Sequence, residues 1–353
     1  MTRFVLIDNN FKKKVKVIKR YLYLVKSECE KFEVGLRNFH NNQEVIQAKT
    51  VEFINQISTK VYIALDAHFH EITAILISEC EYGRKYYTKN QRYKVYQEYY
   101  KRQLKEYFIG CEFVQQTLYK PFGYPGDFNT LDYIYRGGSS SASIYFNLMD
   151  NYIMGKSVAT AVRGRRPYLL SNFEELIKLA KDSISIASVA CGAAMEFIDF
   201  ASEPISKPID LYLLDSDNTA LEKALFNIDN AGNEKIRPRY LNMNILAMDG
   251  TLKSVDGIDL VYSVGLFDYL RDGIFIKTAK RLFQLLSECG KLIIGNMALH
   301  PARAFMELIG EWHLLYRSEE ELIELATRCG FEKYKIEVDT TGVQFYLVVE
   351  KNN

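Results

Sequence analysis

Apolar residues recur with a helical period through the first third of the chain. Phe11, Val15, Ile18, Leu22, Val25, Cys29, Phe32 and Leu36 follow in steps of four and three, which holds them on one face for nearly four heptads. Ile54, Ile57, Val61, Leu65, His68, Ile72 and Ile75 predict a second helix from about Val51 to Cys80. Tyr93, Tyr96, Tyr100, Leu104, Tyr107, Cys111, Val114 and Leu118 predict a third. Long helices with one apolar stripe each pack as an antiparallel bundle. The stretch Pro121 to Asp127 interrupts the pattern, because two prolines and two glycines in six residues force an irregular loop. A short helix over Asn129 to Tyr135, a flexible tip at 137–141, and helices over Tyr145 to Met154 and Val158 to Ala180 follow.

From Ser183 the period switches between two and 3.6. Strands are predicted over Ser183–Val189, Asp210–Leu214, Arg239–Asn242, Ile258–Val264 and Lys291–Asn296, with helices over Ala194–Ala201, Thr219–Ala231 and Ile274–Ser287 between them. Helices over Pro301–Leu315 and Glu319–Cys329 come next. Tyr334–Asp339 and Val343–Glu350 read as a closing antiparallel pair. Repeated β-α units make a parallel sheet with helices on both faces. The expected fold is therefore α/β, a Rossmann-like sheet of the class I methyltransferase kind, mostly parallel with an antiparallel last strand, behind an all-α domain. The expected division is a helical bundle over 1–120, connecting helices and a loop over 121–180, and the Rossmann-like domain over 181–353.

Charge and cysteines narrow the setting. The formal net charge of +1 gives no global field toward nucleic acid. Cys29, Cys80, Cys111, Cys191, Cys289 and Cys329 form no C-x-x-C pair and have no histidines at ligand spacing, so free thiols in a reducing compartment are expected, with no metal site. The apolar run Phe4 to Ile7 is short for a signal peptide, and no uninterrupted run approaches the ~18 residues of a membrane span. A cytoplasmic protein without an integral membrane segment is the expectation. Lys12, Lys13, Lys14, Lys16, Lys19 and Arg20 make the first helix basic away from its stripe: a solvated face, or a docking surface for an acidic partner or an anionic membrane, and the N-terminal helices could join a protein partner or a homodimer.

Chemistry concentrates at the carboxyl ends of the predicted parallel strands, where nucleotide-type ligands bind. The first β-α turn, Ser188-Val-Ala190-Cys191-Gly192-Ala-Ala-Met-Glu196, offers small residues but a single glycine. Glu196 falls in the first helical turn, where a dinucleotide pyrophosphate needs positive potential. S-adenosylmethionine (SAM) carries no phosphate and a positive sulfonium, so the carboxylate does not oppose it. Asp215, at the end of the next strand and followed by Ser216, stands where an acid holds a ribose hydroxyl pair, and Asp217 either assists or caps a helix. Asp249 with Gly250 either receives the adenine amino group or forms a turn. Ser263 and Gly265 close the cofactor set at the end of the fourth strand, and the loop through Asp268 and Tyr269 borders the methyl acceptor.

The motifs Gly123-Tyr-Pro-Gly-Asp127-Phe, Ala161-Val-Arg163-Gly-Arg165-Arg166, Ser188-Val-Ala-Cys-Gly192 and Arg303-Ala-Phe-Met-Glu307 with Trp312 and Tyr316-Arg317-Ser318 resemble bacterial class I methyltransferases. These are the PhcB-like proteins of 3-hydroxypalmitic acid methyl ester biosynthesis. The resemblance spans roughly residues 90–350. It implies that Tyr124, Asp127 and Arg163 join the active site, Arg163 on the carboxylate of the cofactor's amino-acid end and Asp127 on its ammonium, unless the two form a structural ion pair.

Methyl transfer is an in-line displacement whose catalysis comes from positioning and desolvation. A carboxylate acceptor needs no base, whereas a hydroxyl or amine usually does. His300 and His313 are the base candidates, and Tyr269, Trp312 and Tyr316 are expected to line the acceptor pocket. O-methylation of a carboxyl or hydroxyl group on a small or lipid-like metabolite leads. N- or C-methylation, methylation of a protein docked by the helical domain, and a silent SAM-binding scaffold are the alternatives.

Overall fold

A computed structural model describes residues 6–39, 42–83, 87–138, 141, 143–202, 204–246 and 257–352. The chain divides into two compact units: 1–159 with 300–313, and 160–299 with 314–353. Of the segment expected to connect two domains, 121–159 thus belongs to the first unit and 160–180 to the second. Residues 300–313, which follow a strand of the second unit, also belong to the first.

In the first unit, α1 (Asn9–Phe39) and α2 (Gln43–Cys80) pack along each other. The α1 stripe is buried except for Phe32, which is half-buried and stacks on Phe53 with ring centroids 4.0 Å apart. Asp8 starts α1, its carboxylate accepting the Phe11 N–H at 2.9 Å, and Asn42 caps α2 through the Glu44 N–H. By length and composition α2 is long and apolar enough to cross a membrane, yet Ile54, Val61, Leu65, His68, Phe69, Ile72, Leu76 and Cys80 are spent on this unit's core.

His68 meets the Tyr100 hydroxyl at 2.9 Å, and burial pushes its imidazole down to about 4. Its folded value lies below the ordinary 6.5 of the unfolded chain, so between pH 6.5 and 4 the unfolded state takes up the proton first. The stability this group contributes is full above pH 6.5 and is lost as pH falls through that window. His68→Gln, which keeps a partner for Tyr100, should flatten the urea-midpoint-against-pH curve by about one proton between those values.

The third predicted helix is broken in two. α3 (Gln91–Leu104) passes through a 3₁₀ turn (Lys105–Tyr107) and an irregular turn before α4 (Glu112–Tyr119). Gly110 sits against Phe146 so closely that a Cβ there would fall 2.2 Å from the ring, and the turn lets Phe108 and Cys111 both bury. α5 (Phe128–Tyr135) and α6 (Ile144–Met154) complete the bundle, together with α11 (Arg303–Leu308), numbered by its place in the chain. The helix expected over Pro301–Leu315 stops after one and a half turns. A Cβ at Gly310 would lie 3.0 Å from the Met306 carbonyl and 3.1 Å from Thr117 Oγ1, and Glu311 adopts φ 51°.

α7 (Ser157–Leu179) begins in the first unit and runs into the second, where a seven-stranded sheet follows. Its strands are β1 (Ile184–Val189), β2 (Ile209–Asp215), β3 (Ile236–Asn242), β4 (Ile258–Ser263), β5 (Leu286–Met297), β6 (Lys333–Val338) and β7 (Gln344–Glu350), in the order β3-β2-β1-β4-β5-β7-β6. β3 through β5 are parallel, and β7 runs antiparallel between β5 and β6. α7, α8 (Glu196–Ser202) and α9 (Asn218–Ala231) cover one face; α10 (Asp272–Gln284) and α12 (Glu319–Cys329) cover the other. The expected fold class stands. β3 starts three residues earlier than predicted, and its Pro238 is tolerated because the strand is an edge. β5 starts five residues early, where the predicted α10 overran, and passes Cys289 at φ 61°.

Candidate cofactor site

The site-forming edge lies where strand order reverses, between β1 and β4. The chain leaves β1 through a turn in which Ala190, Gly192 and Ala194 take φ 54°, 54° and 49°. Three of its N–H groups are spent within the unit: Cys191 donates to the Leu214 carbonyl, Gly192 to Asp215 Oδ2 at 2.9 Å, and Ala194 to the Cys191 carbonyl. The Ala193 carbonyl is held by Asn227 Nδ2 at 2.8 Å. A pyrophosphate-binding turn instead aims free N–H groups at its ligand.

Asp215 ends β2 and ties two turns together. One carboxylate oxygen accepts from Gly192, and the other from the Asp217 N–H at 3.0 Å. Burial raises its pKa, opposed by those backbone donors. Each oxygen keeps a lone-pair direction for a ligand hydroxyl. Asp217 is the cap of α9, accepting the Thr219 N–H at 2.8 Å. Ser216 and Ala190 are exposed beside it, and Cys191 is buried, its thiol raised well above the ordinary value by burial.

Glu196 turns inward: its Oε1 accepts from the Tyr262 hydroxyl at 2.5 Å and from Ser188 Oγ at 3.3 Å. Burial raises its pKa against these donors. Ser263 is also committed, donating to the Val189 carbonyl at 2.8 Å. Asp249 and Gly250 lie outside the described residues.

Past β4 the loop Val264–Leu270 is fixed from two sides. Asp268 Oδ1 accepts the Met297 N–H at 2.6 Å, its Oδ2 lies 3.6 Å from Arg165 Nη2, and burial pushes the carboxyl up to about 6 against the pull of that guanidinium. Arg165, buried on α7, donates Nε to Gln344 Oε1 at 2.7 Å, and its Nη1 is the nearest atom to where a Cβ on Gly265 would stand. Arg317 lies fully buried on the other side. It donates to the carbonyls of Phe267 (3.0 Å) and Leu270 (2.5 Å), to Asn296 Oδ1 (2.6 Å) and to Asp272 Oδ1 (3.1 Å). Tyr269, in the 3₁₀ turn this clamp holds, and Tyr316 are half-buried.

Sequence reasoning singled out Arg163, whose Nη2 donates to Thr160 Oγ1 on the same helix at 3.1 Å. It passed over Arg165. Two residues apart on a helix point in nearly opposite directions, and the usable signal was that Arg165 stands four and eight residues before the buried Leu169 and Phe173.

Five expected site residues belong to the first unit. Tyr124 is exposed on the 121–127 loop. Asp127 is fully buried and caps α5, its Oδ1 accepting the Thr130 N–H at 2.9 Å, so its local role is structural; burial raises its carboxyl. His313 meets Tyr93 Oη at 3.1 Å with one ring nitrogen and the Glu311 carbonyl at 3.1 Å with the other, and burial lowers it. His300 is buried and pushed down to about 4 by burial and by Arg303. Trp312 packs against Phe113.

The residues present fit a cofactor that has ribose hydroxyls and no phosphate: a doubly anchored carboxylate, small exposed residues at the turn, and a second buried acid, Glu196, behind it. Among solved structures, a possible exported protein from Bordetella parapertussis aligns at 17% identity with a TM-score of 0.52, over 64% of this chain and 80% of that one, a likeness of fold. Magnesium protoporphyrin IX methyltransferase from Synechocystis PCC 6803, solved with S-adenosylhomocysteine (SAH), aligns at 12% identity and TM-score 0.48 over 68% of this chain and 100% of that one. No curated protein matches the sequence. The family Methyltransf_20, described as "Putative methyltransferase", matches residues 91–350, well over half of the chain. This protein belongs to that family and is a SAM-dependent methyltransferase.

Proposed function

We propose that the chain methylates a carboxyl or hydroxyl oxygen of a small or lipid-like metabolite of the 3-hydroxy fatty acid type, carboxyl before hydroxyl, in the cytoplasm. The observation that carries the choice is the state of the two histidines. His313 has both ring nitrogens in hydrogen bonds, and burial holds His300 near 4, too weak a base to take a hydroxyl or ammonium proton well at neutral pH. A carboxylate asks for no base. The free thiols, five of the six buried, favour a reducing compartment. The PhcB-like resemblance supplies the acceptor class.

SAM brings a methyl group on a cationic sulfur, open to in-line displacement. Asp215 would hold the ribose hydroxyls with the lone pairs its two backbone donors leave free. Glu196 stays behind the turn, held by Tyr262 and Ser188. Arg165, rather than Arg163, would meet the carboxylate of the cofactor's amino-acid end, because its guanidinium stands at Gly265 with Asp268 only at 3.6 Å. Decarboxylated SAM, which lacks that carboxylate, should bind wild type at least tenfold more weakly than SAM. Arg165→Gln should shrink the difference to within twofold; an unchanged ratio in the folded variant would remove Arg165 from this role.

The reaction itself is tested by incubating the full chain with methyl-labelled SAM and a panel of fatty acids, 3-hydroxy acids, alcohols and amines, followed by mass spectrometry. A methyl ester is the expected product. A labelled ether would move the assignment to hydroxyl. A methylated nitrogen, carbon or protein, or no product beside intact SAM binding, would contradict the proposal.

A further inference from the structure

A cavity of about 630 Å³ lies in the first unit beside the break between α3 and α4, within the size range of small-molecule sites. Glu112, Gln115, Gln116 and Tyr119 of α4 line it on one side and Asp150 of α6 on another.

The polar groups of this lining have one sense. Gln115 spends its Nε2 on the Ile109 carbonyl at 2.8 Å, and Gln116 spends its own on Glu112 Oε1 at 3.1 Å. Gln116 Oε1 is buried with no hydrogen-bond partner, and so is Oδ1 of Asp150, a residue only 3% exposed. A buried acceptor left unmet is costly, so a ligand that donates to these oxygens is favoured. Charge points the same way. Two acids line the cavity, and none of its described lining residues is a lysine, arginine or histidine. Lys120, next to it in the chain, turns to Glu311 at 3.3 Å. Acceptors and negative charge without a counter-charge call for a donor that is itself a cation.

The cavity is many times the size of a metal ion, and no group of three His, Cys, Asp or Glu able to hold one occurs among the described residues. An organic cation fits better. Tyr119, 69% exposed, adds a ring face of the kind on which an alkylammonium rests. Burial pushes the Asp150 carboxyl up to about 7 against the pull of the Tyr133 hydroxyl; Glu112 acts with burial and the Cys111 thiol against it. A cation at the carboxylate would restore its charge. We propose that this cavity of the helical unit binds a small aliphatic ammonium compound, its charged nitrogen on Asp150 and Gln116. The site is independent of the acceptor assigned above.

Calorimetric titration of the full chain with putrescine should show one site, and neutral 1,4-butanediol of similar length should bind at least tenfold more weakly. Putrescine keeps both charges between pH 6 and 8, so its affinity should rise about tenfold over that interval as Asp150 ionises. Asp150→Asn, which keeps the shape of the side chain, should weaken putrescine at least tenfold at pH 8, flatten the pH dependence and leave SAH affinity unchanged. If that variant does not fold, Glu112→Gln, at a half-buried position, carries the test with a loss of at least threefold at pH 8. No putrescine binding, equal affinity for the diol, or affinity and pH dependence untouched in the folded variant would each overturn the proposal. So would calcium that binds more tightly than putrescine and displaces it, which would assign the acids to a metal.

Discussion

Replacing Arg317 with alanine is expected to lower the folding stability of the second unit by about 3–5 kcal/mol, the scale for removing one partner of a buried charged network. The guanidinium supplies four hydrogen bonds with no access to water, two to backbone carbonyls and two to Asn296 and Asp272. Without it the carbonyls of Phe267 and Leu270 remain buried with a lost donor, each at about 1–3 kcal/mol. Arg317→Lys should recover only part, because one ammonium cannot span targets on both sides of a planar fork. Urea unfolding followed by far-UV circular dichroism reads the effect. Because the clamp holds the loop after β4, a milder variant that still folds should also bind SAH less tightly. A midpoint within about 0.5 kcal/mol of wild type, the usual scatter of surface substitutions, would mean that the loop holds itself.

The second large effect is expected at Asp215. Asp215→Ala should weaken SAH at least a hundredfold, since hydrogen bonds to a charged acceptor contribute about 1.5–3 kcal/mol each and the ribose offers two hydroxyls. The substitution also releases the N–H groups of Gly192 and Asp217, so the turn after β1 should loosen. Asp215→Asn keeps one acceptor oxygen and the shape of the side chain but loses the charge, and its NH2 faces one of the two backbone N–H donors. Affinity and stability between those of wild type and Asp215→Ala are the expected outcome. Equal affinity in wild type and Asp215→Ala would put the ribose elsewhere.

Legibility from sequence followed the range of the interactions involved. The sheet was readable because its strands are short apolar runs punctuated by turns, and each needs only its neighbours in the chain to be recognised. Asp215 was readable because a strand end and a glycine turn set its place, and the structure puts its carboxylate on Gly192, 23 residues away. The breaks at 105–111 and 309–311 were hidden, since the apolar period continues across them. Their cause is a distant neighbour in each case: Phe146 over Gly110, and Thr117 beside Gly310. Arg165 and Arg317 were hidden for the same reason. Arg165, between Gly164 and Arg166, and Arg317, ahead of Ser318 and three glutamates, each read as a surface charge until their acceptors, contributed by β7 and by the loop after β4, are in view. The sequence placed Glu196 in the first turn after β1, but its commitment to Tyr262 depends on a strand 66 residues further on.

The most direct test is calorimetric titration of the full chain with SAH and SAM, with NAD as control. The account predicts micromolar binding of the first two at one site per chain and no heat from NAD. Folded protein that binds neither SAH nor SAM, or that binds NAD in their place, would contradict it.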